Sequence, residues 1–299
     1  MLWTKRAMLV LFILAAGATP VVRGAADIEI VPDVIYGHKD GMALTFDILK
    51  PKAKPNGAAV LFMVSGGWVS AYSPPQQMAT RFQDLLDKGF TVIAVRHGSS
   101  PKYFIPEIVA DVRRAVRYIR YNARQWNVDP NRLGVFGGSA GGHLSLMLGT
   151  ASDNGDPNAQ EAFMKESDRV AAVVAYFPPV DLRPITRGVN PPLPPDGKPY
   201  RFPALNFDKE KAPDYSPIVH VSPDDPPTLL IHGDKDDLVP INNSKIIFEA
   251  FQKNNVKTDF ITIPGAGHGF RGEDAKRASA AMVAWFEQTL LKPASPAKP

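Results

Sequence analysis

A serine set among four glycines is the first feature of this sequence that suggests chemistry. The stretch from Val135 to His143 reads VFGGSAGGH, with Ser139 at its centre and an apolar run directly before it. Such a stretch could cradle a phosphate, act as a flexible linker, or form a sharp turn that exposes a reactive hydroxyl. The neighbouring residues distinguish these three possibilities.

The two nucleotide-binding motifs and the linker do not fit the residues around the serine. A P-loop continues after its second glycine with Lys and then Ser or Thr, but His143 and Leu144 stand at those positions, so the main cation for a phosphate is missing. A dinucleotide fingerprint requires a glycine where Ser139 or Ala140 stands. Apolar strand and helix patterns adjoin the glycines on both sides, which excludes a flexible linker.

The remaining interpretation is a nucleophile elbow of the form Gly137-x-Ser139-x-Gly141. A strand must turn abruptly into a helix here, and glycines two residues before and after the serine allow the chain to approach itself closely. The helix that follows would supply amide donors to a developing oxyanion. The pattern therefore predicts Ser139 as a nucleophile.

A serine hydroxyl is a weak nucleophile that needs a base and a group to orient that base. Downstream, Asp234, Asp236 and Asp237 follow the strand-like run PTLLIHG, and His268 lies in a glycine-containing loop after the strand-like run TDFITI. Because parallel strands end at one edge of a sheet, we expect these residues to meet Ser139 there. Spacing alone does not choose among the three aspartates.

The other ionisable residues and the composition suggest no competing site. We interpret the remaining histidines as structural, namely His38, His97, His143, His220 and His232. The aspartate cluster does not match a calcium loop, so we expect no metal and no cofactor. The absence of cysteine excludes disulfides, thiolate ligands and a cysteine nucleophile. With a net charge of +4 and no basic stripe interleaved with aromatic residues, nucleic acid is not an expected partner.

A second glycine-containing turn follows the apolar run AAVLF. Backbone amides of Gly66, Gly67 and Trp68, together with that of Ala140, are predicted to form an oxyanion hole. An ordinary Gly-Gly turn is the alternative if this stretch is considered in isolation.

The segment from Arg183 to Asp214 is rich in proline and has neither helical nor strand periodicity. A long irregular segment inside a domain is usually functional or disordered, and we expect a lid-like insertion. Trp68 and Tyr72, with Tyr200 and Phe202 from the insertion, are predicted to line an apolar or aromatic substrate pocket.

Strand-like and helix-like segments alternate along most of the chain. Continuous apolar runs at 58–64, 90–95 and 170–177 are typical of buried parallel strands, whereas the run at 42–51 alternates as a half-buried strand does. Helices are predicted over 78–89, 105–123, 242–254 and 273–291, and from about residue 141. The pattern predicts an α/β fold, with a mostly parallel sheet covered on both faces, in one domain over 27–291.

The two ends of the chain differ from this pattern. Lys5 and Arg6 precede a short apolar run that ends in small residues near Ala26, which is typical of a secretory signal peptide at 1–26. An uncleaved anchor or an N-terminal core helix is the alternative. We expect a secreted or periplasmic protein that is not inserted in a membrane after cleavage, with a disordered tail at 292–299.

The sequence resembles the α/β-hydrolase superfamily, and within it the esterase/lipase branch of hormone-sensitive-lipase-like and BD-FAE feruloyl-esterase-like enzymes. The resemblance extends from about Asp40 to Leu290 and is carried by VSGGW, PEIVADVRRAVRYIRYNARQWNVDPNRLGVFGGSAGGHLSLMLGT, YFPPVDL, HGDKDDLVP and GAGHGF. It implies Ser139 as nucleophile, Asp236 in a His-Gly-x-x-Asp pattern and His268 as base. It also implies an acyl-enzyme reaction on small or carbohydrate-linked esters.

The sequence departs from the family pattern at two positions of the motifs. Val64 and Ser65 replace the His and first Gly of the usual His-Gly-Gly-Gly turn, and Gly138 stands where an acidic residue often precedes the serine. Two alternative functions are a peptidase of the prolyl-oligopeptidase type, which shares HGDKDDLVP but usually has a large extra domain, and a catalytically inactive binding protein. The natural ester and the oligomeric state are not predicted.

Overall fold

The computed structural model describes residues 27–291, so the predicted signal peptide at 1–26 and the tail at 292–299 lie outside the described residues. The strands are β1 Ile28–Lys39, β2 Met42–Pro51, β3 Ala59–Met63, β4 Thr91–Val95, β5 Leu133–Gly138, β6 Ala172–Tyr176, β7 Thr228–Gly233 and β8 Thr258–Ile263. The α-helices are α1 Pro75–Arg81, α2 Gln83–Asp87, α3 Ile105–Asn122, α4 Ala140–Thr150, α5 Asn242–Lys253 and α6 Gly272–Phe286. A turn of π-helix, Glu287–Leu291, follows α6.

All eight strands form one sheet in the order β1-β2-β4-β3-β5-β6-β7-β8. The pairings of β2 with β1 and with β4 are antiparallel, and every other pairing is parallel. The prediction of a mostly parallel sheet is confirmed.

Helices cover both faces of the sheet, as the continuous apolar strands predicted. Helices α3, α4 and α5 bury one apolar core against it, and α1, α2 and α6 bury the other. Along β3, Leu61 and Met63 belong to the first core, whereas Val60 and Phe62 belong to the second. The alternation of side chains along a strand explains why both sets must be apolar.

Two sequence predictions of secondary structure are wrong in part. The single helix predicted over 78–89 is two short helices that meet at Phe82, whose φ of −108° and ψ of 23° interrupt the helical backbone. The strand at 42–51 is not half-buried throughout, because Phe46, Asp47, Ile48 and Leu49 are all buried. This strand lies inside the sheet, between β1 and β4, and Asp47 is neutralised there by an ion pair of 2.5 Å with Arg96.

The proline-rich segment 183–214 is irregular but packed. It contains only short 3₁₀ turns, at Pro203–Leu205 and Lys209–Lys211, with a third beginning at Pro213. Arg187 holds its centre by donating from Nη1 to the carbonyl of Phe202 at 2.8 Å and to Oδ1 of Asn206 at 3.1 Å. Buried Leu205 and Phe207 join the core on the α3–α5 side.

Candidate active site

The backbone at Ser139 has the sharp turn that the glycine pattern predicted. Ser139 adopts φ 54° and ψ −120° between β5 and α4, a region that residues with a side chain rarely occupy. A Cβ on Gly137 would lie 2.5 Å from the backbone of Gly141, and one on Gly141 would lie 2.7 Å from the carbonyl oxygen of Met63. The two glycines are therefore required by close approach of the chain to itself.

Ser139, His268 and Asp236 form a continuous chain of hydrogen bonds at the carboxyl edge of the sheet. His268 Nε2 lies 3.0 Å from Ser139 Oγ, and His268 Nδ1 lies 2.8 Å from Asp236 Oδ2. Since the carboxylate accepts from Nδ1–H, the Nε2 lone pair is left to accept the serine proton. The arrangement can remove a proton from the hydroxyl and stabilise the imidazolium that results.

Of the three aspartates that follow β7, Asp236 is the one placed against the histidine. Its side chain is fully buried, and its Oδ1 accepts from the amides of Leu238 and Val239, both at 2.9 Å. Asp234 is exposed and accepts from the amide of Gly265, which ties the β7 loop to the β8 loop. Asp237 is also exposed.

His232 lies beneath this carboxylate, a contact that sequence reasoning did not find. Its Nε2 donates to the carbonyl of Val239 at 2.8 Å and lies 3.3 Å from Asp236 Oδ2, while Nδ1 accepts from Ser244 Oγ at 2.8 Å. Burial lowers the pKa of His232, which favours the neutral ring that these contacts require. His232 thereby holds the loop that carries Asp236.

In the described part of the chain, three of the four predicted oxyanion donors have free amides, namely Gly67 and Trp68 in the turn after β3 and Ala140 at the start of α4. The amide of Gly66 donates to the carbonyl of Val69 at 3.0 Å, so Gly66 is not free, and its prediction as a donor is wrong. Gly67 and Trp68, at the tip, have φ of 58° and 61°. Among the described residues, the amides of Gly67, Trp68 and Ala140 donate to no acceptor and remain available to an oxyanion.

A buried histidine connects this turn to the elbow helix. Trp68 Nε1 donates to His143 Nδ1 at 3.3 Å, and His143 Nε2 donates to the carbonyl of Tyr215 at 2.8 Å. Burial lowers the pKa of His143 to about 4, so the ring is neutral at pH 7 and its two partners define one tautomer. In the sequence, the position of His143 one helical turn after Ser139 was the feature that could have indicated this role.

Two of the four residues predicted to line a substrate pocket come together at the turn. The ring of Phe202 is perpendicular to that of Trp68, with centroids 6.2 Å apart, and a Cβ on Gly67 would lie 3.0 Å from it. Trp68 is only 4% exposed, so its side chain packs beneath the turn and presents little surface to a substrate.

The other two predicted pocket residues lie elsewhere. Tyr200 stays inside the insertion, where its hydroxyl donates to the carbonyl of Pro192 at 3.0 Å and its ring lies under Arg187. Tyr72 is 65% exposed, with Arg96 over its ring at 5.8 Å. Among the described residues, neither ring makes an aromatic contact with Trp68, Phe202 or His268.

Residues 27–291 contain neither a cluster of metal-ligating side chains nor a helix that could span a membrane. No group of three or more His, Asp or Glu side chains in this range is placed to hold a metal ion. No helix in the same range is long and apolar enough to cross a membrane.

Several proteins that are similar to this chain are named as esterases. The probable carboxylic ester hydrolase LipM of Mycobacterium tuberculosis is 28% identical over 272 residues, which is 87% of this chain and 60% of LipM. Esterase LipC of the same organism is 28% identical over 82% of this chain and 60% of its own length. The chain thus spans about 60% of the length of these curated relatives.

One solved structure is similar to this chain over nearly the full length of both chains. A truncated carbohydrate esterase from gut microbiota superposes with a TM-score of 0.72 at 28% identity, over 90% of this chain and 99% of that one. The fold is that of the α/β-hydrolases, as the alternation of strands and helices and the resemblance predicted. The BD-FAE family model matches residues 46–251, which include the glycine turn, the elbow and the aspartate loop. With more than half of its length matched, the chain belongs to the BD-FAE family.

Proposed function

We propose that this protein hydrolyses carboxylic esters through an acyl-enzyme intermediate, with Ser139, His268 and Asp236 as its catalytic triad. The observation that carries the proposal is the hydrogen-bonded chain from Asp236 through His268 to Ser139, at the head of α4. The similarity to LipM, LipC and a carbohydrate esterase supports the same reaction class.

The geometry supports a reaction in two halves. Ser139 Oγ attacks the ester carbonyl while His268 Nε2 takes its proton, and Asp236 stabilises the imidazolium. The amides of Gly67, Trp68 and Ala140 bind the negative oxygen of the tetrahedral intermediate, which collapses when His268 returns the proton to the leaving alcohol. Water then attacks the acyl-serine by the same route, and the free acid leaves.

Small or carbohydrate-linked esters are the proposed substrates, and the compartment is proposed to be outside the cytoplasm. The carbohydrate esterase among the similar structures supports the first part. The basic and apolar residues of 1–26 support the second. Release of acetate from acetylated xylo-oligosaccharides, compared with release of ferulate from feruloylated ones, would distinguish two sugar-linked classes.

The test is hydrolysis of 4-nitrophenyl acetate, butyrate and a longer-chain ester, beside a peptide anilide. Ser139→Ala should lower ester turnover by roughly a thousandfold or more, since it removes the nucleophile. Ser152→Ala, a change of the same kind in a half-buried residue after α4, is the control and should retain full activity. Ester turnover that survives Ser139→Ala, or cleavage of the anilide alone, would contradict the proposal.

A further inference from the structure

The imidazole of His268 packs against the ring of Phe177. The two ring centroids lie 4.7 Å apart, and the ring planes are inclined by 58°. Phe177 directly follows β6, whose last residue, Tyr176, pairs with Gly138 beside the elbow. The phenyl ring therefore lies at the edge of the sheet where Ser139 is placed, although neither half of the proposed reaction uses it.

The loop that carries His268 constrains the imidazole only weakly. His268 lies in the run PGAGHGF, with a glycine on each side. Gly265 and Gly269 have φ of 77° and 106°, and a Cβ on either would have no atom within 4 Å. Because glycine leaves the backbone more freedom than other residues do, the orientation of the imidazole depends on the contacts of its own ring.

One of the two hydrogen bonds of this imidazole is lost during the proposed reaction. At rest, Asp236 bonds Nδ1 at 2.8 Å and Ser139 Oγ bonds Nε2 at 3.0 Å. Once Ser139 Oγ carries the acyl group it has no proton to donate, so the bond to Asp236 remains as the polar anchor. The contact with Phe177 needs no proton and persists through both halves of the reaction.

Phe177 is itself fixed relative to the nucleophile. Its amide donates to the carbonyl of Ile231 at 2.9 Å, and the carbonyl of Tyr176 accepts from the amide of Ser139 at 2.9 Å. Its ring occupies space left by Gly138, since a Cβ at that position would lie 3.1 Å from two of the ring atoms. The phenyl ring is therefore a support whose position is set by the sheet and by the elbow.

The backbone of Phe177 is strained. Its φ is 38°, a left-handed value that glycine adopts readily and an aromatic residue rarely does. Such strain persists where the surrounding structure imposes it, and it concentrates at functional sites. The presence of phenylalanine where glycine would be less strained indicates that the side chain has a role.

We propose that Phe177 is a positioning residue, which keeps the imidazole of His268 aligned with Ser139 Oγ while the serine is acylated and deacylated. The inference rests on the proposed function, since it adds a residue to the same site. It also gives a reason for the departure from the family pattern at Gly138, because an acidic side chain there would occupy the space of the Phe177 ring.

The first test compares Phe177→Gly with Phe177→Ala. Both variants lack the ring, but Phe177→Gly relieves the left-handed backbone and should be the more stable in urea. In both, kcat should fall by roughly tenfold or more with little change in KM, because the base is no longer aligned. The loss should be the same for 4-nitrophenyl acetate, butyrate and a longer-chain ester. Phe163→Ala removes a half-buried ring that packs on Tyr118, and this control should retain full kcat.

Two results of this comparison would overturn the proposal. A fall in kcat that follows the stability of the two variants would make Phe177 a purely structural residue. A loss that changes with the length of the acyl chain would instead make its ring a wall of the substrate site.

A double-mutant cycle tests the link between Gly138 and the ring. The methyl group of Gly138→Ala should displace the Phe177 ring by a few tenths of an ångström and lower kcat severalfold. In the Phe177→Gly background there is no ring to displace, so the same methyl group should cause no further loss. Equal losses in the two backgrounds would contradict the proposal.

Nitrogen-15 NMR of the histidine side chains in Ser139→Ala separates this inference from the proposed function. The imidazole of His268 should show one tautomer, protonated at Nδ1, and the further change Phe177→Gly should move its two nitrogen signals toward a common average. That change in a protein whose wild type hydrolyses no ester would support the positioning role and refute the esterase. Unchanged nitrogen signals, or full kcat in Phe177→Gly beside an active wild type, would refute the positioning role alone.

Discussion

His143 shows how one buried side chain can align separate parts of the candidate site. It lies on α4, one turn after Ser139, and its two nitrogens bond the indole of Trp68 and the carbonyl of Tyr215. The oxyanion turn, the elbow helix and the segment that follows the insertion therefore meet at one imidazole. Sequence reasoning classed His143 as structural, and the structure adds that it positions Trp68.

Replacing this histidine should impair both stability and turnover. His143→Leu has a similar volume but leaves the Trp68 N–H and the Tyr215 carbonyl buried without partners, at a cost of about 2–4 kcal/mol in the free energy of unfolding. Because the oxyanion turn loses its tether, kcat should fall on the order of tenfold with less change in KM. Urea denaturation and ester kinetics measure the two effects. An unchanged kcat in a destabilised variant would show that His143 does not position the turn.

Gly141 and Gly66 differ in the atoms that an added Cβ would contact. Gly141→Ala should lower the free energy of unfolding by about 3 kcal/mol or more, since its Cβ would lie 2.7 Å from the Met63 carbonyl oxygen. Gly66→Ala is the matched control, with no atom within 4 Å of its added Cβ, and should cost less than about 1 kcal/mol. Thermal and urea unfolding of both variants provide the comparison, and equal losses would show that the close approach at Gly141 is not what requires glycine.

Among the elements, the insertion is held in its own fold by polar contacts within it and packs on the protein core through Leu205 and Phe207. Arg187 bonds the carbonyl of Phe202, and Phe202 covers the tip of the oxyanion turn at Gly67. Periodicity predicted an irregular segment here, which is confirmed. It could not predict which aromatic residue would reach the site, because Phe202 and Tyr200 have the same apolar character and differ only in the neighbours that the packed loop provides.

Loosening this anchor should expose the insertion. Arg187→Met retains the aliphatic stem but loses both hydrogen bonds, so we expect faster proteolytic cleavage within 187–206 and a higher KM for esters. Arg183→Met is the control in the same segment, since its ion pair with Asp181 is exposed and local. Limited proteolysis with mass spectrometry locates the cuts. Identical digestion of the two variants would show that Arg187 is not the anchor.

At the scale of the whole molecule, two deeply buried histidines make stability depend on pH. Burial lowers the pKa of both His97 and His143 to about 4, against an ordinary value near 6.5. Between these values the unfolded chain binds more protons than the folded one, so stability falls as pH drops from about 6.5 to 4. Each histidine contributes about 3 kcal/mol over this window.

The measurement is the free energy of unfolding at several pH values between 4 and 7. The wild-type free energy of unfolding should fall steeply on acidification. His97→Asn should remove about half of the loss that His97 and His143 together cause. Asp225 opposes the trend, because burial raises its pKa to about 6 and so favours the folded state at low pH. Asp225→Asn should therefore steepen the loss. A pH-independent wild-type stability over this range would contradict the assignment of neutral buried imidazoles.

Local patterns in the sequence were enough to predict the parallel sheet, the elbow at Ser139 and the order of serine, acid and histidine. These features follow from local rules, namely the period of apolar residues, the steric freedom of glycine and the ending of parallel strands at one edge. Only the three-dimensional structure shows that Asp236 contacts His268, that the carbonyl of Val69 accepts from the amide of Gly66, and that the ring of Phe177 packs on that of His268. Contacts of this kind join residues far apart in the chain or depend on the exact course of a turn, so no local pattern encodes them.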